Sequence, residues 1–129
     1  MEKRIINPWQ WQDERSYVQA VEVKNVSSTL YVSGQAAISA EGTSSDADMK
    51  TQLTLAIKNL EQVITHAGFE CSGIVRLNIY TTNTAALWPE FSILQEWIAK
   101  HNIKQATTLL EVKSLFETLS VELEATVVK

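Results

Sequence analysis

The period of the apolar positions changes several times along the chain, and each change marks an element. Met49, Leu53, Ala56, Ile57, Leu60, Val63, Ile64 and Ala67 recur at spacings of three and four, which predicts an amphipathic helix. Lys50, Lys58 and Glu61 fall on its other side. Asp46 or Asp48 caps its start, and Gly68 is placed to close it in a left-handed conformation. A shorter helix runs from Pro89 to His101, with Phe91, Leu94 and Ile98 as its inner stripe and Trp97 beside them. Pro89 suits its first helical position. Strands are expected over Lys3–Ile6, Tyr17–Val23, Thr29–Ser33, Gly73–Thr82, Thr107–Val112 and Leu119–Val128, where the period is two or the residues are β-branched and aromatic. In the fourth strand Val75, Leu77 and Ile79 share one face, and Ile74, Arg76, Asn78 and Tyr80 the other. In the last, Val121, Leu123, Ala125 and Val127 alternate with Glu122, Glu124 and Thr126.

The order is β-β-β-α-β-α-β-β, which reads as an α+β fold with a mixed sheet. Each strand–helix–strand unit is expected to cross over right-handed and pair its strands in parallel. The short links at the two ends point to antiparallel hairpins. Two helices cover only one face of such a sheet. The other face carries Ile74, Tyr80, Thr107 and Leu109 or their opposite-parity neighbours, and nothing is left in the chain to cover it. Self-association into a closed symmetric oligomer is the simplest remedy, with any ligand site at the subunit junctions.

Length and composition narrow the function classes. The chain of 129 residues fits a single domain, 1–129. Eleven basic residues against fifteen acidic ones give a net charge of −4, which argues against a nucleic-acid footprint. No apolar run approaches the length of a membrane span, and no secretory h-region follows the basic start, so no membrane partner and a cytoplasmic location are expected. The lone Cys71 excludes an internal disulfide and suits a reducing compartment. In that setting the sequon Asn25-Val26-Ser27 carries no meaning.

Reactive residues are few. His66 and His101 stand where helices end, a place where histidine commonly interacts with the helix dipole. No Cys/His cluster has metal-ligand spacing, and the four glycines stand singly rather than in a phosphate loop. Trp9 and Trp11 flank Gln10; in an extended segment both rings share a face, to line a pocket, to stack on bases, or simply to pack. Glu122 and Glu124 share a strand face about 7 Å apart, with Glu111 on the preceding strand. Such glutamates are either solvated or, in a pocket, able to orient a water.

Several segments resemble one family in order and spacing. Tyr17-Val18-Gln19-Ala20-Val21, Tyr31-Val32-Ser33-Gly34-Gln35, the long helix with Asn59-Leu60 and Ala67-Gly68, and Val121-Glu122-Leu123-Glu124-Ala125 look like the reactive-intermediate (enamine/imine) deaminase family, Rid or YjgF-like. The resemblance covers nearly the whole chain. It implies a chorismate-mutase-like sheet with two helices on one face. It also implies a homotrimer whose sheets form a central barrel, with three clefts between subunits. In active members the cleft takes a small 2-imino or enamine acid, which water hydrolyses to a keto acid and ammonia, without cofactor or metal.

Carried over by position, Tyr17 matches the pocket tyrosine, Ser33 and Gly34 the segment whose backbone lines the cleft, and Glu122 the glutamate that positions the water. The chain departs from the pattern at Thr107. Family deaminases read Pro-Ala-Arg-Ser there, and the arginine grips the substrate carboxylate; this chain reads Gln105-Ala106-Thr107-Thr108. Leu109 replaces a common cysteine. A bidentate charged clamp gives way to one neutral hydroxyl, at a cost of about 10²-fold in binding an amino-acid imine. Only Arg4, Arg15 and Arg76 remain as arginines. Arg15 shares parity with Tyr17 in an extended segment and would reach the cleft rim; the plainer reading pairs it with Asp13 or Glu14. The face of Arg76 is not assignable. Two functions follow: a Rid-like trimeric hydrolase of an imine, enamine or related electrophile, with Tyr17 and Thr107 orienting the ligand, or a small-molecule-binding or regulatory module without deaminase chemistry.

Overall fold

A computed structural model describes residues 1–129. Six strands form: β1 (Glu2–Ile6), β2 (Ala20–Lys24), β3 (Thr29–Ala36), β4 (Ile74–Thr81), β5 (Ala106–Glu111) and β6 (Val121–Val128). The helices are α1 (Met49–His66), the short α2 (Thr84–Leu87) and α3 (Phe91–Lys100). The architecture is the expected mixed α+β fold, with α1 and α3 packed on one face of a sheet.

The long helix forms for the reasons its sequence gives. Met49, Leu53, Ala56, Ile57, Leu60 and Ile64 are buried along one stripe. Of the two candidate caps, Asp48 is the one used: its carboxylate accepts from the Thr51 N–H at 2.9 Å, which holds the carboxyl below the usual carboxylate range. The helix ends at Gly68, with φ of 80° and the Phe69 N–H bonded back to Ile64 O at 3.1 Å. Val32, Leu77, Ile79, Val121, Leu123, Ala125 and Val127 on the sheet meet this stripe together with Leu94, Trp97 and Ile98 of α3.

The sheet order is β3-β6-β4-β5, which corrects two expectations. No hairpin joins the last two strands. β6 instead inserts between β3 and β4, antiparallel to both. Hence β3 and β4 run parallel without pairing, and only β4 and β5 pair in parallel across a helix. The physical reason lies in β6 itself: its apolar face is almost fully buried, which a sheet centre satisfies and an edge does not. β1 and β2 do pair antiparallel, but as a separate ribbon.

Smaller differences bear on the site. Tyr17 precedes β2 instead of opening it. Residues 13–15 form a 3₁₀ turn closed by Ser16 in the left-handed region, φ 61°. Pro89 sits in a second 3₁₀ turn, Trp88–Glu90, between α2 and α3, so α3 starts later than expected. α2 is too short to show any periodicity in the sequence.

The open face of the sheet is polar as well as uncovered. Arg76, Asn78, Tyr80, Glu122, Glu124 and Thr126 point there, with Thr108 and Leu110 from β5; Ile74, Thr107 and Leu109 belong to the helix side. Tyr31 is 81% exposed on its outer strand.

A side chain on α1 fixes the end of β3. Asn59 Nδ2 donates to Ala36 O at 2.8 Å and Ile38 O at 3.0 Å. Asn59→Ala leaves two part-buried carbonyls without their donor, and is expected to lower stability by about 1–2 kcal/mol. Urea unfolding with an unchanged m-value checks this.

Candidate functional site

The seven site residues nominated from the sequence fall into two groups. Tyr17, Arg15, Thr107 and Leu109 line one pocket of about 500 Å³, together with Glu14, Ile79, Trp88, Phe91 and Gln95. Its floor comes from the edge strand β5 and its neighbour β4. One wall is the start of α3, and the other is the turn before β2. That volume lies in the range of small-molecule sites.

The turn that presents Arg15 and Tyr17 is held from several directions. Gln95 Nε2 on α3 donates to Glu14 O at 3.2 Å. Gln105 Nε2 donates to Ser16 O at 2.8 Å, and the Val18 N–H donates to Gln105 O at 3.0 Å. The fully buried Gln12 accepts from Gln19 Nε2 at 3.2 Å. Pattern reading passes over these glutamines because it expects them in solvent.

Aromatic rings cluster around the turn. Trp9 and Trp11 are stacked, with centroids 6.1 Å apart, and Trp11 meets Tyr17 edge-on at 6.4 Å. The shared face anticipated for the two tryptophans exists, but a turn produces it, since residues 8–12 lie outside any strand. Trp88 packs edge-on against Phe91 at 5.3 Å. Thr107 Oγ1 donates to Leu77 O, so its one proton serves the sheet.

The second group, Ser33, Gly34 and Glu122, lies elsewhere. Between Val32 and Gln35 the register with β6 shifts, which makes a bulge of Ser33 and Gly34. A Cβ on Gly34 would stand 2.5 Å from the Glu122 Cδ. The missing side chain is what lets the carboxylate lie against the bulge. Glu122 projects from the open face, in register with Tyr80 of β4 and, through it, Leu110 of β5. Thr107 projects from the opposite face, so Glu122 cannot reach the aromatic pocket of its own chain.

The two strand glutamates differ in their partners. Glu124 Oε1 accepts from Tyr80 Oη at 3.0 Å and from Asn78 Nδ2 at 2.9 Å. The first of these bonds pushes the Tyr80 phenol pKa up. Glu122 has no hydrogen-bond partner within the chain, so its oxygens are free to hold water. Glu111 caps the start of α2, accepting from the Thr84 N–H at 2.8 Å.

The other reactive groups take structural places. Cys71 is buried under α1, and burial followed by the charge of Glu61 pushes its thiol up to about 11. His101 ends α3, stacks edge-on against Trp97, and lies 3.8 Å from Glu61 Oε2. His66 is in the last turn of α1. Arg76 is exposed on the open face, and no three His, Cys, Asp or Glu side chains come together to hold a metal ion. No helix is long and apolar enough to cross a membrane.

The fold has counterparts among known proteins. The family model described as endoribonuclease L-PSP matches residues 10–129. A RutC family protein of Aquifex aeolicus is 30% identical over 113 residues, 88% of each chain. The crystal structure of YyfB, a conserved Rid-family protein of Yersinia pestis, has a TM-score of 0.87 at 27% identity, with all of both chains covered. The YjgF gene product of Escherichia coli has a TM-score of 0.71 at 23% identity, over 88% of this chain and 87% of that one. A β6 inserted between two parallel strands, with two helices on one face, is thus the architecture this chain shares with Rid/YjgF proteins, and the chain belongs to the endoribonuclease L-PSP (Rid/YjgF) family.

Proposed function

We propose that the chain works as a cytoplasmic homotrimer with small-metabolite clefts between subunits, and that it hydrolyses an imine, enamine or related electrophile. One observation carries this reading. The aromatic pocket sits at the β5 edge on the helix side, whereas Glu122 and the Ser33–Gly34 bulge sit at the β3 side on the open face. Each half is incomplete alone, and both border unpaired sheet edges. A neighbouring copy that packs its open face and β3 edge against this β5 edge brings the halves together.

The chemistry then follows from the residues. Tyr17, Arg15 and Leu109 from one subunit position the ligand, with Thr107 in the floor. Glu122 of the next, lying on the Ser33–Gly34 bulge, holds a water. The water oxygen bonds to the imine carbon and its proton reaches the nitrogen. The resulting carbinolamine loses ammonia as its C–O bond becomes a carbonyl. Every atom comes from substrate and water.

A second reading has its own support. Thr107 carries no charge, and its proton is already donated to Leu77 O. A non-catalytic binding or regulatory module needs no clamp on a 2-imino acid. RNA fits less well, because a net charge of −4 and three arginines supply little phosphate attraction.

One assay separates hydrolase from binding module. An amino-acid oxidase generates 2-imino acids, semicarbazide traps them, and the protein's effect on trapping is followed. Faster loss of imine supports hydrolysis, and Thr107→Arg is expected to increase it. No acceleration by either protein favours the binding module.

A further inference from the structure

We infer that Arg15 is the anion-binding residue of this cleft, and that the ligand is a small monocarboxylate bearing a flat apolar group, an aryl ring above all. This rests on the reading of the aromatic pocket as the ligand site.

The guanidinium of Arg15 is unspent. The ion pairs of the chain join Arg4 and Lys24 to Glu22 and His101 to Glu61; neither Asp13 nor Glu14 pairs with Arg15. No side-chain hydrogen bond engages it either. It makes a cation–π contact with Trp11, its Cζ lying over the ring 4.9 Å from the centroid. A guanidinium held beside an indole with no ion-pair or hydrogen-bond partner keeps its N–H donors for a carboxylate, which it can receive with two bonds. The Gln95 and Gln105 bonds to the turn fix where the residue begins. Arg15 is also the only cation among the lining residues, and the Thr107 hydroxyl is engaged with Leu77 O.

The rest of the pocket sets the other end of the ligand. Ile79, Trp88, Phe91 and Leu109 offer apolar and aromatic surface, and Trp88 is 54% exposed at its mouth. An exposed indole set edge-on to a phenyl ring is a surface that gains from covering by a flat group. Glu14 on the same rim disfavours a second negative charge, which selects a monoanion.

Calorimetric titration of the whole protein with phenylpyruvate, pyruvate and phenylacetone tests this, with a melting curve for each variant. Phenylpyruvate is expected to bind about tenfold or more tightly than either of the others. Arg15→Ala is expected to reduce phenylpyruvate affinity to that of the neutral ketone and to leave phenylacetone unchanged, while Arg15→Lys recovers part of the loss. Trp88→Ala, at an exposed position, is expected to weaken phenylpyruvate and spare pyruvate. Phenylpyruvate binding that Trp88→Ala weakens and Arg15→Ala does not overturns the role of Arg15 but leaves the cleft standing. Binding insensitive to both variants overturns the cleft reading as well. No phenylpyruvate binding at millimolar concentration overturns the ligand class, whatever imine hydrolysis shows.

Discussion

Glu122→Gln is expected to lower kcat/KM for imine hydrolysis by about 10²–10⁴-fold, the range for removing a positioned general base. Glutamine keeps the shape of the side chain and the space against Gly34, so what is lost is the charge and one of the two acceptor oxygens, which an NH2 donor replaces. Because Glu122 has no hydrogen-bond partner in the chain, the melting temperature is expected to stay where it is. Glu124→Gln is the informative contrast. That carboxylate accepts from both Tyr80 and Asn78, so its loss acts on the open face of the sheet and is expected to change stability more than turnover. Gly34→Ala probes the same water from the other side. Its Cβ would stand 2.5 Å from Glu122 Cδ, and the carboxylate, being the end of a flexible chain, moves away. Turnover should fall while the fold holds. Equal turnover in wild type and Glu122→Gln would remove Glu122 from the mechanism.

The stretches that were legible in the sequence are those where burial on one face imposes a period. α1 and β6 are the cases in point: alternate or every-third-and-fourth positions are apolar because each element presents one side to the same core. Pairing was less legible. β6 carries glutamates on one face, as an edge strand does, yet it lies at the centre, because those glutamates point to the open side and not to the helices. Tyr17 and Arg15 line one pocket, but the extended segment expected to bring them together is not what does so. They approach the pocket from a 3₁₀ turn closed by Ser16 rather than from an extended strand, and the glutamines that hold that turn act through contacts distant in sequence. The separation of the site into two groups was not legible at all. Which face Thr107 and Glu122 occupy depends on register across three strands, and a one-residue slip would exchange the faces.

Gly73→Ala is expected to destabilise the fold by about 2–3 kcal/mol, the upper part of the overpacking range. A Cβ at this position would stand 2.3 Å from Val128 O and 3.1 Å from Val127 Cγ1. The first of these is a backbone atom, so relief requires a shift of β6 itself and not of a side chain. That strand is the centre of the sheet, paired to β3 and β4. Its end is tied further by the Ser27 and Ser28 N–H groups, which donate to Lys129 O at 2.8 and 2.9 Å. Moving Val128 therefore disturbs both neighbours at once. The comparison with Gly34→Ala isolates the cause. Both glycines face an approach shorter than any real Cβ contact, but one neighbour swings aside and the other is pinned by a sheet. Thermal unfolding should thus rank Gly73→Ala well below Gly34→Ala in melting temperature, while the imine assay ranks them in reverse for folded protein. Equal melting temperatures would mean that the β6 terminus yields as easily as a carboxylate, and the rigid central strand inferred from its register would be wrong.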